Sequence, residues 1–180
     1  MQDDVLIGNL TVEETLQYAM RLRVPENEAN QSQRIARINS VLADLNLSKI
    51  RHSRVRRRRC WHVSDCFWQV GTSLSRGISG GERKRLSIAV EMVSSPRLVF
   101  LDEPTTGLDS YNALRVMTAL KTLCTRHKVT VICTVHQPRS NIFHLFDNVL
   151  LLDGGQTVYF GPDPVAYFGK MNFEDRKSVV

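Results

Sequence analysis

The stretch "RLVFLDEPTTGLDS", Arg97 to Ser110, decides how this chain is read. Leu98 to Leu101 form a short run with no polar alternation. Such a run marks a strand of a parallel sheet buried on both faces. Asp102 then stands at the C-terminal end of the strand, the edge where open α/β sheets bind ligands. An aspartate there suits Mg²⁺, which takes few carboxylates and keeps several waters. Glu103 beside it suits polarising an attacking water. Pro104 ends the strand, and "TTGLDS" forms a loop that starts the next helix. Two acids at a strand end are most often merely solvated; the apolar strand and the segment before it weigh against that reading here.

That segment is "RGISGGERKRLSIAVEM", Arg76 to Met92. Ser79, Gly80 and Gly81 precede the apolar-periodic run Leu86, Ile88, Ala89, Val90, Met92, Val93. A Ser-Gly-Gly turn at a helix N-terminus is suited to an anion, since unpaired N–H groups and the positive dipole end point the same way. Glycine there is expected to let the anion approach closely.

Upstream, Thr11 and Glu14 form a T-x-x-E capping box for a helix "VEETLQYAMRLR" that stops before Pro25. A second helix is expected from about Ser32, with Ile35, Ile38, Val41, Leu42 and Leu45 on one face. Downstream, the rhythm alternates. A helix over Glu82–Ser94 is followed by the strand "LVFL", a helix from about Ser110 to Arg126, and the strand "VTVICTV". A short helix near Asn141–Phe146 comes next. Then "NVLLLD" turns at Gly154-Gly155 into "QTVYF", a hairpin, and a last helix follows Pro162. Helices alternating with apolar strands indicate an α/β fold with a mainly parallel sheet.

Composition sets the frame. The 180 residues suffice for one domain, and 42% apolar with 23% charged content is ordinary for a globular chain. No apolar run reaches the ~18 residues of a membrane span. "MQDDVLIGNL" lacks the basic n-region of a signal peptide. Four cysteines make no disulfide framework, so a reduced intracellular setting is the default. The net charge of +6 owes much to "RRRRCWHVSDCFWQV", Arg56 to Val70; outside it 20 basic residues face 17 acidic ones. No nucleic-acid partner is expected from so mild a balance.

Taken together the motifs resemble the nucleotide-binding domain of an ABC transporter. "ISGGE" looks like the signature, "LVFLDE" like the Walker B strand with its glutamate, "GLD" like the D-loop, and "VHQPRSNIF" like the switch region with His136. "ISGGERKR", "DEPTTGLDS", "HQP" and "GGQTVYFGP" resemble the G subfamily, the white-type half-transporters. "QDDVLIGNLTVEETLQYAMRLRVP" matches a Q-loop and its following helix. The resemblance implies a partial P-loop NTPase fold of the ABC type, with a helical subdomain, a mainly parallel sheet with flanking helices, and a C-terminal hairpin. It implies ATP and Mg²⁺ as cofactors. Glu103 and His136 would be catalytic, and Asp102 and Gln2 would serve Mg²⁺. Gln2, Ser79, Gly80, Gly81, Glu82, Asp102 and Asp109 would contact nucleotide or the paired site.

In that family two nucleotide domains close head to tail over two ATP molecules, so Ser79, Gly80 and Gly81 would face the partner's γ-phosphate. Expected partners are a second such domain, in a homo- or heterodimer, and a transmembrane domain of the same full-length chain, at the cytoplasmic face of a membrane. His136 has a plainer reading as a satisfied structural histidine, and Asp109 as an acid complementing a helix dipole. G-x-x-x-x-G-K-S/T, the phosphate-holding Walker A loop, occurs nowhere in the 180 residues. The chain is therefore expected to be an N-terminally truncated domain, inactive alone. A non-enzymatic partner fragment and an ABC ATPase without a membrane domain stay open as alternatives.

Four segments follow: 1–54, the Q-loop and helical subdomain; 55–70, an aberrant insert; 71–170, signature to switch; and 171–180, a tail whose "EDRKSVV" departs from the family. Cys60, His62, Asp65 and Cys66 in the insert lack the paired C-x-x-C spacing of zinc sites. The Arg run beside Trp61, Phe67 and Trp68 has the makings of a nucleic-acid or lipid patch. A simpler reading joins Arg54 to Val70, giving "HSRVGTSLSRGISGGE". The 15 residues from Val55 to Gln69 begin with a GT-starting codon and end with one that can be CAG, the ends of a retained intron. Transcripts are expected to lack these codons; sequencing that finds them in most copies sinks the idea.

Overall fold

The computed structural model describes residues 6–55 and 77–171. They belong to two compact units, one ending at His136 and one beginning at Gln137. Gln2, most of the insert and the tail lie outside the described residues.

In the first unit, helix α1 (Val12–Arg23) starts where its capping box predicts. The Glu14 amide donates to Thr11 Oγ1 at 3.2 Å, and the Thr11 amide donates to Glu14 Oε2 at 2.7 Å. Two further amides of the first turn find backbone partners: Val12 N–H donates to Ser53 O and Glu13 N–H to Arg51 O. The same returning strand of chain brings in Val55, which donates to Leu10 O at 2.8 Å and is buried. Val55, placed by sequence at the head of the insert, is thus a core residue. At the far end, Val24 leaves the helix before Pro25. Carbonyls left there are taken by the buried Arg34, which donates to Ala29 O (2.9 Å), Val24 O (2.9 Å) and Pro25 O (2.8 Å).

Arg34 belongs to α2 (Gln31–Asp44), capped by Asn30 in a second reciprocal box with Gln33. Ile38, Val41, Leu42 and Leu45 are buried as their spacing predicts, but Ile35 is 50% exposed. Arg34 takes the inward position of that turn, and Ile35 is rotated outward. Helix α3 (Gly80–Met92) begins two residues earlier than the apolar rhythm suggests, because Ser79 caps it. Arg23 pairs with Glu91 and ties α1 to α3.

Strand β1 (Leu98–Leu101), helix α4 (Ser110–His127) and strand β2 (Thr130–Cys133) form a parallel β-α-β unit, with Leu98 opposite Thr130 and Leu101 opposite Cys133. Val99 is buried. Leu98, Phe100 and Ile132 are exposed, which corrects the expectation of strands buried on both faces. Successive side chains of a strand point to opposite faces. Among the described residues only one face of this pair is covered.

In the second unit, a short helix α5 (Ser140–Phe143) precedes the antiparallel hairpin β3 (Val149–Asp153) and β4 (Gln156–Gly161). Gly154 and Gly155 both have positive φ, 54° and 79°, which a tight two-residue hairpin turn demands. Helix α6 (Pro164–Gly169) follows. The Asp163 amide donates to the hydroxyl of the buried Tyr159, whose ring packs on Tyr167 and Phe168.

One buried acid joins the ends of α2 and α4. Asp44 accepts from Arg126 at 2.7 Å and lies 2.7 Å from His127 Nε2. Burial pushes its carboxyl up, but the bonds from His127 and Arg126 outweigh that and hold its pKa below the ordinary value. A depressed acid contributes stability that is present above its unfolded pKa and lost as pH falls through the folded one. Asp44→Asn is therefore expected to cost about 1–3 kcal/mol at neutral pH. The deficit should shrink as pH falls below about 4, where the unfolded chain's Asp44 begins to protonate, and vanish once the folded carboxyl protonates too. Thermal melts of both proteins across pH check this; a deficit of constant size down to acid pH contradicts it.

Candidate functional site

The sheet register brings the predicted acids to the C-terminal edge of the strand pair. The Thr134 amide donates to Leu101 O at 3.0 Å, so the ladder runs one residue past β2 and sets Thr134 beside Asp102. The Thr134 hydroxyl donates to Asp102 Oδ1 at 2.5 Å and accepts from the Glu103 amide at 2.9 Å. Glu103 adopts a left-handed backbone, φ 46°, directly before Pro104. That is costly for a residue with a Cβ, and a following proline favours extended backbone instead. Its side chain is oriented in turn: Thr106 Oγ1 donates to Glu103 Oε2 at 2.8 Å, and the Thr106 amide donates to Glu103 O at 3.1 Å. Asp102 and Glu103 are both exposed at this edge. His136 lies two residues beyond Thr134 on the neighbouring strand's exit and is exposed as well. The next residue, Gln137, repeats the left-handed turn before a proline, with φ 45°.

The loop leaving Glu103 reaches the start of α4, where Asp109 is the cap. Asn112 donates to it twice, from its amide at 3.0 Å and from Nδ2 at 2.5 Å. Those two bonds, backbone first, lower the Asp109 pKa. Asn112 also meets the signature turn. A Cβ on the buried Gly81 would lie 2.9 Å from Asn112 Oδ1 and 3.0 Å from its Cγ. Gly81 leaves room for α4, which packs against it through Asn112. Gly80 is exposed, with Leu108 Cδ2 at 3.9 Å from a Cβ position. Glu82 closes the cap of α3: Ser79 donates to its Oε2 from both amide and hydroxyl, each at 2.7 Å.

In the structure Asn112, bonded to Asp109, abuts the signature turn at Gly81; the sequence reading paired only Asp102 with Glu103. It missed Thr134 and Asn112. A hydroxyl one residue past an apolar strand, and Asn three residues after a capping Asp, were the available signals. It also missed Arg85. This side chain is 2% exposed, and its Nε and one terminal nitrogen have no partner among the described residues. Burial, then the nearby Arg115, lowers its pKa against the pull of Glu82.

The residues present fit Mg²⁺ of the kind that binds with substrate phosphates. Among the described residues no group of three His, Cys, Asp or Glu side chains could cage a metal. One exposed strand-end carboxylate, Asp102, is what a phosphate-bound Mg²⁺ takes from its protein. Gln2, the other expected ligand, lies outside the described residues.

A parallel strand edge carrying paired acids, packed by its following loop onto a capped Ser-Gly-Gly helix, is the architecture of an ABC-type ATPase domain. Its fold matches that of cbiO1 from Clostridium perfringens, part of the ABC transporter complex cbiONQ, with a TM-score of 0.67 and 22% identity over 94% of this chain and 57% of that one. The chain belongs to the ABC transporter family, whose model matches residues 1–106. Its sequence is 42% identical over 175 residues to the broad substrate specificity ATP-binding cassette transporter ABCG2 of Bos taurus, covering 96% of this chain and 24% of that protein. It is 41% identical over 175 residues to ABC transporter G family member 7 of Arabidopsis thaliana, covering 96% of this chain and 22% of that protein. It is thus a segment of G-subfamily nucleotide-binding sequence and spans about a quarter of the length of these relatives. Among the described residues no helix is long and apolar enough to cross a membrane.

Gly81→Ala is expected to destabilise the chain by about 1–3 kcal/mol, because the added methyl meets a side chain already held by Asp109. That exceeds the ~0.5–1 kcal/mol that alanine gains over glycine within a helix. Asn112→Ala should relieve the part of that cost due to Oδ1 and Cγ, while its own Cβ stays 3.1 Å from the added methyl. Denaturant unfolding of the two single variants and the double gives the coupling; strict additivity contradicts the contact.

Proposed function

We propose that this chain is the part of a G-subfamily ATPase domain that polarises the attacking water and closes over a partner domain's nucleotide. In the full-length protein, the resulting cycle of dimer closure and reopening drives export through a transmembrane domain. The observation that carries this reading is the edge formed by Asp102, Glu103 and Thr134, with His136 on the adjacent exit. Bound at Asp102 beside the nucleotide, Mg²⁺ supplies charge neutralisation to the phosphate oxygens.

The chain's own residues have separate tasks in this proposal. Glu103 holds its carboxylate, oriented by Thr106, toward the water that attacks the γ-phosphate, and stabilises the positive charge developing on it. His136, unencumbered by any hydrogen bond among the described residues, contacts the γ-phosphate. Across the dimer, Ser79 and Gly80 present hydroxyl and amide groups to the partner's nucleotide. For this, Ser79 exchanges its bonds to Glu82 for bonds to phosphate, so Glu82 sets how readily the signature engages. Asp109, fixed by Asn112, lies on the loop that meets the partner. Catalysis is then mostly positioning and electrostatics, as in other phosphoryl transfers.

The export substrate is chosen in the membrane domain.

In the full-length protein, Glu103→Gln is expected to keep ATP binding and lower steady-state hydrolysis about 10²–10⁴-fold, because the amide keeps the size but not the charge. Turnover close to wild type, with nucleotide binding intact, removes Glu103 from the catalytic role.

A further inference from the structure

We infer that Thr134 is a positioning residue for both acids: one hydroxyl aligns the Asp102 carboxylate and locks the Glu103 backbone for hydrolysis. This rests on the proposed roles of Asp102 and Glu103. The hydroxyl makes two bonds at once. It donates to Asp102 Oδ1 at 2.5 Å and accepts from the Glu103 amide at 2.9 Å. A hydroxyl can donate once and accept as well, so these bonds do not compete. The bond to a carboxylate is charge-assisted and correspondingly strong and short.

The backbone explains why such a clamp is needed. Glu103 sits at φ 46° before Pro104, a conformation disfavoured for any residue with a Cβ and resisted by the proline after it. Strained residues persist when their surroundings over-determine them. Here the Glu103 amide is held by Thr134 and its carbonyl by the Thr106 amide at 3.1 Å. The two bonds pin the peptide on both sides, and Thr106 Oγ1 then orients the carboxylate. Release of the amide would let Glu103 relax toward extended backbone and swing its carboxylate off the edge. The same loss would take the Thr134 bond away from the Asp102 carboxylate.

Thr134 is suited to this by its place rather than by its neighbours. The parallel ladder continues to it through its amide bond to Leu101 O, so the strand pairing fixes where its Oγ1 stands. It is exposed at the strand edge, and its removal leaves no core cavity. Valine there keeps the β-branched shape and strand preference and loses only the hydroxyl. Serine keeps the hydroxyl and loses only a methyl.

The test uses the full-length protein in lipid, with wild type, Thr134→Val, Thr134→Ser, Thr134→Ala and Glu103→Gln. Thr134→Val is expected to lower kcat about 10–100-fold with KM for ATP changed much less, since misplacement of about an ångström costs that much. It should also raise the Mg²⁺ concentration for half-maximal turnover several-fold. Thr134→Ser should recover most of the rate and the Mg²⁺ response, and Thr134→Ala should behave like Thr134→Val. Should valine prevent folding, the serine and alanine pair carries the same comparison. A folded Thr134→Val or Thr134→Ala with wild-type kcat and Mg²⁺ response overturns the inference, as does Thr134→Ser failing as badly as valine. If Glu103→Gln is inactive while Thr134→Val is normal, only this inference fails. If Glu103→Gln hydrolyses normally, the underlying assignment of Glu103 fails first.

Discussion

Parallel pairing of β1 and β2, with Leu101 opposite Cys133, is the constraint on which the site depends. Parallel strands send both of their C-terminal exits to one edge, so the acids after Leu101 and the hydroxyl and histidine after Cys133 emerge side by side. A shift of one residue would turn Thr134 to the other face and leave the Glu103 amide without its acceptor. Because the crossover between the strands is α4, the same pairing also sets where the loop after Glu103 begins its return. That loop ends in the Asp109 cap, and the cap's partner, Asn112, abuts Gly81.

Two ideas that look separate in sequence therefore share one mechanical frame. The strand-end acids and the signature turn are joined through the six residues from Pro104 to Asp109 and the first turn of α4. Gly81 is the narrow point of that connection. A side chain there would push α4 and α3 apart at their N-terminal ends, and with them the loop that starts at Glu103. The exposed turn at Ser79 and Gly80 is left to make contacts outward, while Glu82 satisfies it in the meantime.

The helical part obeys a different economy. The ends of α1 and α2 are closed by capping boxes, by the returning segment through Val55, and by Arg34, which fills one turn of the interior with a guanidinium fully used on backbone carbonyls. Arg85 is the contrast, since its buried nitrogens lack partners among the described residues. Leaving a buried polar group unmet is costly, and Arg85 places that cost in α3. The exposed apolar face of β1 and β2 is a second such place, with Leu98, Phe100 and Ile132 open to solvent.

Much of the architecture was legible in the chain itself. The T-x-x-E box, Pro25, the "LVFL" strand, the capping Asp109 and the Gly154-Gly155 turn each act within a few residues, and each element begins or ends where they say. The paired acids and the Ser-Gly-Gly turn were legible for the same reason, since their chemistry is written in adjacent positions. What tertiary structure alone decided depends on contacts between residues far apart in sequence. Thr134 reads as an ordinary strand residue until β2 lies beside β1. Asn112 and Gly81 are unrelated until α4 meets α3. The burial of Arg34 and Arg85 has no signal in the sequence, and Ile35 and Phe100 read as core, because hydrophobic pattern reports the preference of a side chain and not which neighbour covers it. Burial and long-range hydrogen bonds are properties of the packed chain, and they chose which hydroxyl, which glycine and which arginine matter.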